Sequence, residues 1–464
     1  MNSNLLFSTV RFCREHPLLL GFTVLGVLLR VIFWTYTGRI WEDALITLTP
    51  AMNLWDGLGL THHPSEPRVH SFTSPISVII PIIGEAFNSG LLALRLASLV
   101  GSVLSIYFAY QIGRHLKFNT WAHVLVLGYL SVDQLQIFFG MAGMETQVAT
   151  AILLGGAYFL LTENWRMLGL ICGLSFLTRP EFVFFVGWVI LYATLFQRDA
   201  LYTIIKFASW IALPWLAFAT LYYGSPIPNT IYAKTWGGRI GLFSAGSDQI
   251  LSYLGSWWAH IAPFKEWSSV YKAPLPDFIL KGIVYAIAAL FVVGAGSSVK
   301  RGDYKFMVLV LTVVSFFAYR TLSTINPYFM WYLPPFLALF FIVAASGLST
   351  IASHYRAAAA IFSILIVFFY GMHFPTTLSF EKMVQDDIDY GVRAEVGRRL
   401  NVLMSKSDTV FLEPLGYIGI EIRGKTTYDF PGLSSPKVVA TIRDLPQVRM
   451  GGGDRATQTH FHCI

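Results

Sequence analysis

The composition of this 464-residue chain argues against a water-soluble globular protein. Charged residues make up 13% of the sequence and hydrophobic residues 55%, whereas soluble domains carry about 25% charged residues, so the polar surface is too small to cover a soluble globule. The net charge of +7 is interpreted through membrane topology, and no nucleic-acid partner is predicted.

Runs of apolar residues predict a polytopic α-helical membrane protein with about eleven spans. A hydrocarbon core about 30 Å thick requires about 20 residues of helix. The predicted spans are 17–37, 91–113, 120–139, 147–162, 166–178, 181–196, 203–222, 278–298, 306–319, 333–350 and 357–373. The marginal span 166–178 could form a broken pair with 181–196. A further stretch, 76–87, is too short to cross and is expected to be re-entrant or interfacial.

Lys and Arg residues collect in the connections on one side of these spans. They are Arg11, Arg14, Arg114, Lys117, Arg166, Arg198, Lys206, Lys300, Arg301, Lys305 and Arg356. Cytoplasmic loops are enriched in such residues, so the N-terminus of this multi-pass protein is predicted to be cytoplasmic. Eleven spans then place the loops 38–75 and 223–277 on the outer face, together with a small α/β domain, 374–464, that follows the membrane domain 1–373.

A pair of adjacent acids, Glu42 and Asp43, follows the first predicted span at the outer water interface. Leu45 and Leu48 begin a helical pattern of apolar residues, which predicts a helix within 42–55. The acids have two interpretations. They face solvent without a function, or one of them is a general base above a membrane cavity and takes a proton from an incoming hydroxyl group.

Several short motifs occur in a defined order along the chain. They are Trp41-Glu42-Asp43-Ala44-Leu45-Ile46-Thr47-Leu48, Gly143-Met144-Glu145-Thr146, Leu177-Thr178-Arg179-Pro180-Glu181, Pro228-Asn229-Thr230, Tyr232-Ala233-Lys234-Thr235 and Leu415-Gly416-Tyr417-Ile418-Gly419. In this order they resemble a GT-C-fold glycosyltransferase family that includes the mycobacterial terminal β-1,2-arabinofuranosyltransferases and the pilin arabinosyltransferases. The matches cover nearly the whole chain, and their order rather than any single motif carries the resemblance.

The resemblance implies a fold, a reaction and a location in the bacterial cytoplasmic (inner) membrane. In that family a sugar on a polyprenyl monophosphate is moved, on the outer face of the membrane, to a hydroxyl group of a glycan, lipid or protein acceptor. The Asp of the first outer loop is thought to act as the base, which makes Asp43 the catalytic candidate. Glu42 is the weaker candidate and is expected to orient Asp43 or to raise its pKa. No resident cofactor is predicted, and a requirement for a divalent metal ion stays open.

An inverting displacement also needs positive groups beside the departing phosphate. Arg179 and Lys234 are the candidates, although Arg179 could instead form an ion pair with Glu181 that joins two helix ends, and Lys234 could be an ordinary loop lysine. Glu145 could accept hydrogen bonds from sugar hydroxyls or cap the helix that begins near Thr146. The remaining substrate-binding candidates are Glu181, Asn229 and Tyr232.

The chain departs from the family pattern at three places. It has Thr49-Pro50 where relatives carry Arg-Tyr, Val69-His70-Ser71-Phe72 at a Val-Glu-Gly-Tyr position, and Met330-Trp331-Tyr332 where a polar residue is usual. These departures leave the donor sugar open between arabinofuranose and another pentose or a hexose. A transporter or flippase of a lipid-linked sugar is the rival class, but the internal repeat typical of transporters is not visible in the sequence.

Overall fold

The computed structural model describes residues 14–63, 68–239, 261, 276–322, 329–405, 407–412, 415–430 and 432–444, and these are mainly helical. The first helices are α1 (Pro17–Thr37), α2 (Glu42–Trp55), α3 (Ile76–Glu85), α4 (Gly90–His115), α5 (Thr120–Val132), α6 (Gln134–Met141), α7 (Thr146–Leu161), α8 (Trp165–Thr178), α9 (Val183–Phe196) and α10 (Arg198–Tyr223). They are followed by α11 (Asn229–Arg239), α12 (Asp277–Arg301), α13 (Tyr304–Leu322), α14 (Leu333–Ala352), α15 (Arg356–Gly371) and α16 (Phe374–Met383). Much of the predicted outer loop 223–277 and the C-terminal end of 374–464 lie outside the described residues.

Eight helical segments of the described chain are long and apolar enough to cross a membrane, and each overlaps a predicted span. The three other predicted spans form the shorter helices α7, α8 and α9, of 16, 14 and 14 residues. At 1.5 Å per residue these helices do not reach across a core about 30 Å thick. The polytopic helical architecture is confirmed, with eight full-length segments and three shorter apolar helices at the positions of the eleven predicted spans.

The predicted span 120–139 is divided into α5 and α6 at Asp133. The Asp133 carboxylate accepts a hydrogen bond of 2.9 Å from the backbone N–H of Gln136, so it caps the second helix. The segment formed by α5 and α6 is 89% buried and that of α14 is 83% buried, whereas the α10 segment is only 11% buried. The centre of the bundle is therefore built from α5, α6 and α14, and α10 lies at its periphery.

The C-terminal region begins with continuous helix and ends in a small α/β unit. Helix α16 continues through a π-helical stretch, Val384–Ala394, into α17 (Glu395–Leu403). A parallel pair of strands follows, β1 (Thr409–Leu412) and β2 (Thr426–Asp429), with α18 (Leu415–Glu421) as the crossover and α19 (Pro436–Asp444) at the end. The register pairs Thr409 with Thr426 and Leu412 with Asp429. The predicted boundary at 374 lies at the first residue of α16, which the two turn residues Met372 and His373 separate from α15.

This C-terminal region contacts the connection between α1 and α2. Arg39 is 5% exposed and forms ion pairs with Glu381, at 2.7 Å, and with Asp389. The Tyr417 hydroxyl donates to the carbonyl oxygen of Ile40 at 2.9 Å. The residues immediately before α2 are thus held by helices and turns that lie more than 300 positions later in the chain.

Candidate active site

The two adjacent acids occupy the first turn of α2. Helix α1 ends at Gly38, whose φ of 61° lies in the left-handed region that glycine adopts readily. The chain then reverses, and the Trp41 ring packs edge-on against Phe138 at 5.5 Å. Glu42 and Asp43 follow directly, where the unpaired N–H groups of a helix start favour negative charge.

The two carboxylates face different surroundings. Glu42 accepts hydrogen bonds from the backbone N–H groups of Gly416 and, at 3.5 Å, Tyr417, so it anchors α18 to the start of α2. No described residue donates a hydrogen bond to the carboxylate of Asp43. Asp43 is therefore the carboxylate left with oxygen lone pairs for a ligand.

Burial changes the acidity of both groups. It raises the pKa of Asp43 to about 6, assisted by the negative charge of Glu145 and opposed by Lys234 and Arg179. It raises the pKa of Glu42 to about 7, against the hydrogen bond from Gly416. Asp43 contributes little to the raised pKa of Glu42, and Glu42 is not among the groups that shift the pKa of Asp43. The expected influence of Glu42 on the pKa of Asp43 is thus replaced by that of Glu145.

Arg179 lies in the break between α8 and the short 3-10 turn Pro180–Phe182. Its guanidinium is 3.0 Å from the carboxylate of Glu145 and 3.3 Å from the hydroxyl of Thr146, and both ion-pair partners are about 5% exposed or less. The guanidinium also lies 5.0 Å from the ring centre of Tyr332. Its buried Nε–H has no hydrogen-bond partner in the described chain, so one donor of this cation is available to a ligand.

Lys234 projects from α11 toward the same region. Its ammonium group donates to the Tyr332 hydroxyl at 3.0 Å. Burial acts to lower the pKa of Lys234, but Tyr332, Asp43 and Glu181 outweigh it and raise that pKa. Lys234 therefore carries its positive charge at neutral pH, next to Asp43 and Arg179.

These side chains line two adjoining cavities. The larger one, the main cavity, has a volume of about 220 Å³ and is lined by Asp43, Glu42, Lys234 and Trp331 together with residues of β1, α18 and the β2–α19 connection. The smaller one, the charged cavity, has about 70 Å³ and brings Asp43 and Lys234 together with Glu145 and Arg179. Asp43 and Lys234 belong to both cavities, so they lie at the junction.

An apolar cavity of about 310 Å³ adjoins the charged one. Its walls include Phe176, Val183, Val186 and Trp215, and Arg179 belongs to both cavities. An elongated apolar group in this cavity would end beside a guanidinium. This is the arrangement required by a long hydrocarbon chain with an anionic head.

The structure distributes the predicted site residues unequally. Asp43, Arg179, Lys234 and Glu145 come together, and Glu145 reaches Arg179 instead of capping α7 with its side chain. Glu181 lies close enough to Arg179 and Lys234 to interact electrostatically but lines neither of the two cavities that contain Asp43.

Asn229 and Tyr232 were expected beside the substrate but line a separate cavity instead. The side-chain amide of Asn229 donates to the carbonyl oxygens of Gly432 and Leu433, at 2.8 and 3.0 Å, which gives it a role in holding the β2–α19 connection. Tyr232 is 41% exposed because it lies on the opposite face of α11 from Lys234.

Two aromatic residues of the site, Trp331 and Tyr332, were not among the predicted site residues. Trp331 lines the main and charged cavities, and Tyr332 contacts both Lys234 and Arg179. The only sequence signal for them was the departure from the family pattern at Met330-Trp331-Tyr332. Within the described residues, no group of three His, Cys, Asp or Glu side chains could hold a metal ion.

The fold defined by these helices is the GT-C fold, with a polytopic helical domain and a small C-terminal α/β unit, as the sequence predicted. Two solved structures are similar to this chain. ArnT from Cupriavidus metallidurans bound to undecaprenyl phosphate has a TM-score of 0.58 at 13% identity, over 90% of this chain and 89% of that one. Its apo state has a TM-score of 0.56 at 12% identity, over 88% and 85%. No protein-family description and no curated protein sequence matches the chain.

Proposed function

We propose that this protein is a membrane glycosyltransferase that moves a sugar from a polyprenyl-phosphate carrier to a hydroxyl group of a glycan, lipid or protein on the outer face of the membrane. The observation that carries this proposal is the meeting of an unbonded carboxylate, Asp43, with two cations, Arg179 and Lys234, beside an apolar cavity. A base, an anion-binding pair and a hydrocarbon site are the three components that the reaction requires.

Asp43 acts as the general base in this scheme. The acceptor oxygen forms a bond to the anomeric carbon of the donor while the bond from that carbon to the phosphate oxygen breaks on the opposite face. The acceptor proton passes to the Asp43 carboxylate, and the products are the glycosylated acceptor and polyprenyl phosphate. One carboxylate suffices for this inverting displacement, which agrees with the use of Glu42 as a backbone anchor.

Arg179 and Lys234 stabilise the departing phosphate. Negative charge increases on the phosphate oxygens as the sugar leaves, and cations held in place before the reaction stabilise that charge more in the transition state than in the ground state. Glu145 and Tyr332 hold the two cations by the ion pair and the hydrogen bond described above. The prenyl chain occupies the apolar cavity beyond Arg179.

The structural comparison supports the lipid carrier. The ArnT structure was obtained with undecaprenyl phosphate bound, and the shared fold covers most of both chains. Arabinofuranose is the first sugar to test because of the motif resemblance. Other pentoses and hexoses follow, because Ser71, Phe72 and Trp331, which belong to two of the departures from the family pattern, line the main cavity.

The purified protein in nanodiscs tests this function when it is supplied with radiolabelled polyprenyl-phosphate sugars and an acceptor. A transferase produces labelled acceptor and free polyprenyl phosphate in equal amounts. A transporter or flippase moves the intact lipid-linked sugar across a proteoliposome membrane without breaking the sugar–phosphate bond. If the protein translocates every intact donor in the panel and forms no glycosylated acceptor, the proposed transferase function is wrong and the protein is a transporter.

A further inference from the structure

A second polar cavity lies outside the reaction site. It has a volume of about 340 Å³ and is lined by Arg68, His70, Tyr223, Asn229, Tyr232 and Lys437, among others. We call it the rear cavity. It is close to the main cavity, because the next residues along the chain, Ser71 and Thr230, line the main cavity. Neither Asp43 nor Arg179 lines the rear cavity, so the proposed transfer reaction does not account for it.

His70 is the residue that points to a ligand. Its side chain is 3% exposed, and neither ring nitrogen has a hydrogen-bond partner in the described chain. Aromatic contacts alone hold the ring, which stacks on Tyr223 at 4.9 Å and 9° and meets Phe72 edge-on at 4.8 Å. A buried polar group without a partner destabilises the fold, so an imidazole retained in such a position indicates a partner that binds from one of the two cavities that His70 borders, the rear cavity and the apolar cavity.

The other walls of the rear cavity supply positive charge. The Arg68 guanidinium lies 4.4 Å from the ring centre of Tyr222, and no ion pair to Arg68 is formed by any residue that the structure describes. The Lys437 ammonium group donates to the Tyr428 hydroxyl at 3.2 Å. Two cations on the walls of one cavity favour an anionic ligand.

The protonation of His70 narrows the class of ligand further. Burial lowers the pKa of His70 to about 4, so the ring is neutral at pH 7 and offers one N–H donor and one nitrogen acceptor. An ionised phosphate or carboxylate accepts hydrogen bonds but has none to donate. An anion that also carries hydroxyl groups can satisfy both nitrogens.

We propose that the rear cavity binds a hydroxyl-bearing anion through Arg68, Lys437 and His70. Two sources have this chemistry: an acidic sugar, such as a uronic acid or sugar phosphate of a glycan, and the headgroup of an anionic phospholipid that carries free hydroxyls. His70 also borders the apolar cavity proposed for the prenyl chain, whereas Arg68 and Lys437 line the rear cavity and none of the three cavities of the transfer site. Arg68→Gln therefore tests the anion site separately from the transfer reaction.

Binding to the full-length protein in phosphatidylcholine nanodiscs tests the proposal. The probes are methyl glucuronide and the uncharged methyl glucoside, and their dissociation constants are measured by ligand-observed NMR. The wild type is expected to prefer the glucuronide by about tenfold, which corresponds to ~1.4 kcal/mol. Arg68→Gln should remove this preference, and Arg356→Gln, an exposed arginine elsewhere in the fold, should keep it.

A second arm distinguishes the lipid source. Nanodiscs that contain equal amounts of phosphatidylglycerol and phosphatidylcholine are used, and the lipid retained by the purified protein is measured by native mass spectrometry. Retention of phosphatidylglycerol by the wild type and not by Arg68→Gln, without a glucuronide preference, assigns the cavity to a lipid headgroup. Equal binding of both sugars together with equal retention of both lipids would overturn the proposal.

The variant His70→Phe provides a readout that does not depend on Arg68. Phenylalanine keeps the aromatic packing and removes both unpaired nitrogens, so the ligand-free protein should gain thermal stability while affinity for the charged probe falls by about tenfold. A variant that melts lower than the wild type and retains its affinity would show that His70 serves packing alone. Sugar transfer from a polyprenyl-phosphate donor, measured on Arg68→Gln, reports separately on the proposed transferase function, because Arg68 lines none of the cavities assigned to the donor.

Discussion

The guanidinium of Arg179 lies 3.0 Å from the carboxylate of Glu145, and both side chains line the cavity that contains Asp43. This pair compensates the charge of Glu145 beside the base. It leaves the Nε–H of Arg179 without a protein partner in the described chain. The same residue borders the apolar cavity, so it occupies the position at which a lipid phosphate would meet the protein.

Replacement of Arg179 should weaken donor binding. A hydrogen bond to a charged group contributes about 1.5–3 kcal/mol, so Arg179→Gln should raise the dissociation constant of polyprenyl phosphate by about 10- to 100-fold. Arg179→Lys keeps the positive charge but lacks the planar guanidinium group. Its affinity for polyprenyl phosphate should therefore lie between that of the wild type and that of Arg179→Gln. Equilibrium binding of labelled polyprenyl phosphate to nanodisc samples measures the effect, with Arg356→Gln as the control. Equal affinity in all four proteins would leave Arg179 with a purely architectural role.

The pH dependence of transfer should identify the base. Asp43 accepts a proton only when it is ionised, and its pKa is raised to about 6. The value of kcat/KM should therefore rise with pH through about 6 and level off above it. Glu42→Gln removes the other acid, whose pKa is about 7, and should keep the rise near pH 6. If the rise of kcat/KM with pH disappears in Glu42→Gln, the base is Glu42.

Tyr417 should link the C-terminal region to the position of the base. Its buried hydroxyl donates to the carbonyl oxygen of Ile40 at 2.9 Å and lies 3.0 Å from the side-chain oxygen of Gln385. Tyr417→Phe leaves these acceptors with fewer partners and should destabilise the fold by about 1–3 kcal/mol. Thermal unfolding in detergent measures the loss, and Tyr355→Phe, at a residue that is 66% exposed, is the matched control. A melting temperature equal to that of the control would show that this contact does not hold the region in place.

Arg39 should contribute more to stability than an exposed arginine does. It lies between the buried carboxylates of Glu381 and Asp389, and removal of one partner from a buried pair costs about 3–5 kcal/mol. Arg39→Met should therefore unfold at a markedly lower temperature. Arg398→Met, which removes an exposed pair with Glu395, should change stability by about 0–1 kcal/mol. Similar losses in the two variants would contradict the structural role of the Arg39 cluster.

The sequence predicted the helices well because an apolar run of about 20 residues can form few structures other than a membrane-spanning helix. All eight full-length segments were expected from the length of the apolar runs, and the helix that begins at Glu42 was expected from the spacing of its apolar residues. The break between α5 and α6 at Asp133 was missed. Both helices lie within one apolar run, and the mean hydropathy of that run hides the single polar residue that caps the second helix.

The candidate site was predicted less completely. Arg179 stood out as a charge between apolar runs, where an unpaired charge is costly. Asp43 was expected from the motif resemblance and from its place after the first span, and Lys234 only as a positive group that the departing phosphate requires. The anchor role of Glu42 was hidden, because its partner Gly416 lies more than 370 positions away. Tyr332 was also missed, since an aromatic residue near the end of a span is common at membrane interfaces, and only its three-dimensional contact with Lys234 distinguishes it.

Asp43→Asn provides the most direct test of the transferase account. The substitution keeps the shape of the side chain and removes its ability to take a proton. Transfer by the variant and by the wild type is compared in nanodiscs with the same labelled donor, alongside binding of polyprenyl phosphate. The account predicts a loss of about 10²- to 10⁴-fold in kcat with donor affinity retained. Unchanged turnover in a folded variant would contradict the assignment of Asp43 as the base.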